Sequence, residues 1–112
     1  MDYINFKETY VFRMGNNDFK FSFVDKNGQV ALCYYKCSSD DDSARLKSSV
    51  VPLREFKEFC VIIEDGKAYF NRIIRLRSND SNKGSIEIYC HVKEDYEKFV
   101  IKLEKFVKKT SL

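Results

Sequence analysis

Near its C-terminal end the chain changes hydrophobic period once, and that change limits the fold more than any other feature. Over residues 85–92, SIEIYCHV, Ile86, Ile88, Cys90 and Val92 alternate with Ser85, Glu87, Tyr89 and His91. A period of two places an apolar row on one face of a strand and a polar row on the other. From Glu94 the apolar positions become Tyr96, Phe99, Val100, Leu103, Phe106 and Val107, the three-and-four spacing of an amphipathic helix. Glu94, Asp95 and Glu97 fall in its first turn and Lys105, Lys108 and Lys109 in its last, the order the helix dipole favours. The spacing predicts a helix over 94–109. Its wide apolar stripe has to cover something, and what precedes it reads as short strands.

Residues 4–13 read as a first strand, ended by a turn at Met14-Gly15-Asn16-Asn17. Residues 18–25 alternate, with Phe19, Phe21 and Phe23 on one face and Lys20 and Ser22 on the other. Asp25-Lys26-Asn27-Gly28 is a hairpin signal, since Asn-Gly accepts the positive dihedrals of a tight turn. Residues 29–37 return as a third strand, and 38–43 read as a polar loop whose acidic run, Asp40-Asp41-Asp42, is read as solvated in preference to a divalent-cation contact or a kinase target. Residues 44–51 read as a fourth strand.

The stretch from Pro52 to Gly66 reads in two ways. Leu53, Phe56, Phe59, Cys60 and Ile63 have helical spacing, with Pro52 near the start and Gly66 just past the end. Val61-Ile62-Ile63 is β-branched, and Glu64-Asp65-Gly66-Lys67 is a good turn. The favoured reading is a helical turn over 52–58, a strand over 59–64, a turn at 65–66 and a strand over 67–77. A loop at 78–84 leads to the last strand and helix. The expected fold is therefore α+β and mostly β: about seven antiparallel strands in a sheet or small barrel, capped by the C-terminal helix. At 112 residues a single domain with one core is expected.

Lys and Arg number 20 against 17 Asp and Glu, a net charge of +3. That mild excess permits an anionic partner without arguing for one, because dedicated nucleic-acid binders are usually more basic. No apolar run is long enough to span a bilayer, and MDYINFKETY lacks the basic start and apolar core of a signal peptide. The expectation is an intracellular protein, of cytoplasm or nucleus, with no membrane insertion. Cys33, Cys37, Cys60 and Cys90 fit that compartment as free thiols. A zinc site from these cysteines and His91 is the alternative. On one strand Cys33 and Cys37 would lie about 13 Å apart, at roughly 3.3 Å per residue, too far to share a metal or a disulfide. The sequon Asn79-Asp80-Ser81 is read as chance.

Seven strands closed by one C-terminal helix resembles the pleckstrin-homology-like superfold. The end, IEIYCHVKEDYEKFVIKLEKFV, carries the resemblance most fully: a last strand, an acidic turn, and a helix with an aromatic, Phe99, in its middle. The resemblance implies a binding scaffold. Its phosphoinositide-binding members cluster basic residues around the first hairpin, where this chain has Lys7, Arg13 and Lys20 around a neutral turn. The resemblance therefore points to a protein-binding member. A second likeness follows from a helix at 53–64, because residues 55–64 can be laid on residues 95–104. Four strands and a helix over 7–64, repeated in shortened form, looks like the single-strand nucleic-acid binders of the PUR, PC4 and Whirly type. That likeness implies aromatics stacking on bases and basic groups on phosphates. Its candidates are Lys20, Tyr35, Lys36, Arg45, Lys47, Tyr69, Arg75 and Arg77, the last two sharing a strand face with Tyr69.

No nucleophile elbow, phosphate-cradling glycine loop or paired metal-ligand motif is spelled out. Cys90 and His91 are adjacent on a strand and point to opposite faces. The chain thus reads as a non-catalytic module without a cofactor, recognising another protein through a groove or strand edge. Single-stranded DNA or RNA binding is the competing reading. An uncovered edge would also let two copies pair symmetrically.

Overall fold

The computed structural model describes residues 3–5 as backbone and residues 8–111 in full. Lys7 and the middle of the expected first strand lie outside the described residues. The chain is mostly β with a C-terminal helix. Its contacts divide it after Leu53 into two compact units.

The first unit is built on a long hairpin. Strand β1 (Tyr3–Asn5) and strand β2 (Tyr10–Met14) both pair antiparallel with β3 (Asn17–Lys26), β1 beside residues 24–26 and β2 beside residues 17–21. The other side of β3 pairs from Phe19 to Lys26 with β4 (Gln29–Lys36). The turn between them puts Asn27 at φ 54° and Gly28 at φ 81°, the left-handed pair that a two-residue hairpin needs. Asp25 reinforces it by accepting the Gly28 N–H at 2.8 Å. Phe21 and Phe23 are buried, as the alternation predicts, with Tyr10, Phe12, Val24, Ala31 and Leu32. Phe21 stacks on Tyr34 across the hairpin, ring centroids 5.5 Å apart.

The stretch after β4 departs from expectation. In place of a loop over 38–43 and a strand over 44–51 there is a short helix, α1 (Asp41–Arg45), and a strand β5 (Ser49–Pro52). The cause is local capping. Asp40 accepts the backbone N–H of Ser43 at 3.2 Å and its hydroxyl at 2.8 Å, while Asp41 and Asp42 occupy the first turn. The acidic run is a helix start.

The second unit begins at Arg54, within a 3₁₀ turn, Leu53–Glu55, that leads into strand β6 (Phe56–Ile62). β6 pairs antiparallel with β7 (Arg72–Ser78), which pairs antiparallel with β8 (Ile86–Cys90). Residues 56–62 are therefore strand, and the strand-then-helix repeat over 53–64 is absent. The helical spacing has a physical origin: the β6–β7 register shifts between Phe56 and Glu58. One extra residue in a strand lets two side chains three apart share a face, and Phe56 and Phe59 are both buried. Strand β7 starts five residues later than the expected 67. Residues 67–71 form bends and extended chain instead.

Helix α2 (Lys93–Glu104) follows β8 and packs on it, burying Phe99, Val100 and Leu103. It stops a turn short of the expected 109. The chain turns at 105–107 and runs as β9 (Lys109–Thr110) parallel to β6. The Phe59 N–H donates to the Lys108 carbonyl at 2.9 Å, so β9 supplies backbone partners to an edge that would otherwise lack them. Val107 remains buried, whereas Phe106 is half exposed. Lys108 and Lys109 are thus not helix-end charges; Lys102 is the basic residue of the last turn. Among the described residues β5 pairs only with β4 and β9 only with β6, so neither unit's sheet closes into a barrel.

Candidate functional site

A concavity of the first unit lies where β5 stops covering β4. Their ladder runs from Ala31↔Pro52 to Tyr34↔Ser49, and β4 continues two residues further, through Tyr35 and Lys36. The chain between the two strands, carrying α1, arches over this uncovered end. The result is a cleft of about 340 Å³ lined by Phe19, Tyr34, Tyr35, Lys36 and Lys47, with Ser38, Ser43 and Ser49 among its polar groups. That volume falls at the low end of the range typical of ligand clefts.

The hairpin register sets its walls. Phe19 faces Lys36, and Lys20 faces Tyr35. Alternation therefore sends Phe19, Tyr34 and Lys36 to one face of the sheet, and Lys20 and Tyr35 to the other. The cleft wraps the sheet rim and draws on both. Phe19 meets Tyr34 edge-on, with ring centroids 6.3 Å apart. On the far face Lys20 donates to Asp41 at 3.1 Å and so ties α1 to β3. That bond, more than the neighbouring charges, raises the Lys20 ammonium above its ordinary range. Burial raises the Tyr35 phenol and the Cys37 thiol, with Lys20 opposing both. Asp40 is held below the usual carboxylate range by its bonds to Ser43.

Five of the sequence candidates belong to this region. Tyr35, Lys36 and Lys47 line the cleft, Arg45 sits on α1, and Lys20 anchors α1. Lys36 and Lys47 form no ion pair among the described residues. Phe19 and Tyr34 escaped the sequence reading as site residues, although the Asn-Gly turn was a usable signal: centring the hairpin on 27–28 already places Phe19 opposite Lys36.

The other three candidates are in the second unit and serve differently. Arg75 lies directly opposite Glu87 and donates to it at 2.7 Å. Arg77 lies opposite Glu58 and donates to it at 3.2 Å. Tyr69 is outside β7, so strand alternation does not place it on the face of Arg75 and Arg77; it meets His91 edge-on at 5.6 Å. A second cleft, of about 290 Å³, is lined by Arg54, Glu55, Asn79 and Lys83 among others. There the Asn79 side-chain amide donates to the Arg54 carbonyl at 2.7 Å, so the sequon nitrogen already has a structural bond.

The thiols are all free. Cys33 and Cys37 are half-buried in the first unit, and Cys60 and Cys90 are buried in the second. Burial pushes the Cys90 thiol up to about 12, opposite to the lowered value of a reactive cysteine. Among the described residues no group of three His, Cys, Asp or Glu side chains is placed to hold a metal, and no helix is long and apolar enough to cross a membrane.

The chain matches no family model, no curated protein and no solved structure. Its cleft has to be read from its own chemistry.

Proposed function

We propose that the chain is a non-catalytic binding module whose partner is another protein, engaged at the cleft between β4, α1 and β5. The observation that carries this reading is the composition of the cleft: an aromatic floor with two lysines that form no ion pair among the described residues, at a strand end that β5 leaves uncovered. Aromatic surface with few charges is the usual make-up of a recognition patch. Leu46, between Arg45 and Lys47 in sequence, is 89 % exposed. An apolar side chain so presented next to the cleft gains by contact with an apolar side chain of another protein. The pleckstrin-homology-like likeness suggests the same class of function and is not required for it.

Single-stranded nucleic acid remains the competing ligand, because Tyr35, Lys36, Arg45 and Lys47 include both aromatic and basic groups. The ion pairs of Arg75 and Arg77 disfavour it, since their guanidinium charges are matched before any phosphate arrives. The test is retention from a cell extract by the immobilised chain and by a Lys36→Glu/Lys47→Glu variant, with and without nuclease treatment. Proteins held by the wild type alone and unaffected by nuclease support the reading. Nuclease-sensitive retention, or equal retention by both forms, contradicts it.

A further inference from the structure

We propose that the cleft takes a short acidic segment carrying an aromatic or large aliphatic side chain next to its carboxylates, an inference that rests on the protein-binding reading above. Two cations, Lys36 and Lys47, line the cleft, and no carboxylate does so among the described residues. Of the nearby acidic groups Asp41 holds Lys20 and Asp40 holds Ser43, while Asp18 and Asp42 lie close by but outside the lining. The lining itself therefore carries positive charge, and a ligand with carboxylates complements it.

Size and shape narrow the ligand further. A volume of about 340 Å³ holds one or two side chains. A nucleic-acid strand needs a track of cations along its backbone, whereas here the cationic lining is confined to the two lysines. Phe19 and Tyr34 offer ring surface for one apolar anchor, the group that carries most of the affinity in small interfaces. Lysines suit carboxylates that arrive in several geometries, because each is a point charge on a flexible stem. The Ser49 hydroxyl supplies a donor and acceptor for the backbone of an extended segment, and Ser38, whose oxygen takes the Asp40 N–H, keeps its O–H to donate.

Fluorescence anisotropy with a fluorescein-labelled ten-residue peptide of alternating Glu and Phe tests this, alongside a Gln/Phe peptide, a Glu/Ala peptide and a ten-nucleotide oligo-dT. The expected order is Glu/Phe tightest. Lys36→Glu/Lys47→Glu should weaken it about tenfold, the scale of two exposed ion pairs turned to repulsion. A charge-matched control, Lys57→Glu/Lys105→Glu in the second unit, should bind as the wild type does. Equal loss in both double variants, or no loss in either, overturns the cleft assignment while leaving a protein-binding module elsewhere on the chain. Gln/Phe or Glu/Ala binding as tightly as Glu/Phe overturns the ligand class. Oligo-dT binding more tightly than every peptide, and weakening in the Lys36/Lys47 variant, overturns both this inference and the protein-binding function.

Discussion

Lys20 on β3 donates to Asp41 at the start of α1 across 3.1 Å, and through that bond the helix that roofs the cleft is tied to the sheet that floors it. α1 buries none of its own side chains. A five-residue helix is also too short to be stable alone. Its position therefore depends on the Asp40 cap and on this tie.

Asp41→Ala should loosen α1 while leaving the global melting temperature nearly unchanged, because an exposed pair adds little to overall stability. Hydrogen exchange is the measurement: the Ala44 and Leu46 amides should exchange faster, and those of β3 and β4 should not. The tie is also pH-dependent with a definite sign. The folded state raises the Lys20 ammonium above 10.5, so the contribution is complete below that value and is lost as pH climbs through the raised one. An α1 conformation, followed by the Ser43 and Ala44 Cα chemical shifts, that stays unchanged as pH climbs well past 10.5 would contradict it.

Phe99 and Phe106 lie on the same predicted stripe and have different fates. Phe99 is fully buried and Phe106 is half exposed. Phe99→Ala should cost about 3–5 kcal/mol in urea denaturation, as large-to-small core changes do. Phe106→Ala should cost no more than about 1 kcal/mol, in keeping with partial burial. Equal costs would place Phe106 in the core and restore a helix running to 109.

The four thiols should separate by burial. Cys33 and Cys37 should react first with a thiol reagent in the native protein, and Cys60 and Cys90 only on unfolding. For Cys90 the folded state keeps a proton that the unfolded chain releases from about 9, since its own value is about 12. Its contribution thus lowers stability progressively as pH rises through that window. Cys90→Ala should flatten the alkaline fall in stability, read from denaturant midpoints between pH 8 and 10.

Arg75→Ala should lower stability by about 1 kcal/mol or less, because it removes one partly exposed cross-strand pair, and should leave cleft binding untouched. A change in ligand affinity without a change in stability would return Arg75 to the binding surface.

The β3–β4 hairpin was legible because three independent signals agreed: alternation of Phe19, Phe21 and Phe23, the Asn-Gly turn, and alternation again after it. β6 was obscured by its own bulge, which gives Phe56 and Phe59 a spacing that a helix shares. α1 was missed for the opposite reason. It has no periodic apolar face, and only the bonds of Asp40 to Ser43 define it. The end of α2 was misjudged because Val107 stays buried after the helix stops, so the periodicity outlasts the hydrogen-bond ladder. The site was partly legible for the same reasons. Tyr35, Lys36 and Lys47 stood out as exposed aromatic and basic residues, and the cleft joins them through the hairpin register and the α1 connection. The ion pairs of Arg75 and Arg77 depend on registers set beyond a bulge and a long loop, which composition does not encode.

The most direct test of the binding account is an amide chemical-shift titration of the chain with the Glu/Phe peptide and, separately, with oligo-dT. Saturable shifts from the peptide at Tyr34, Lys36, Ala44, Lys47 and Ser49, with the second unit unmoved, are the expected result. Saturable shifts from oligo-dT along Tyr69 to Arg77, with the cleft residues unmoved by either ligand, would contradict it.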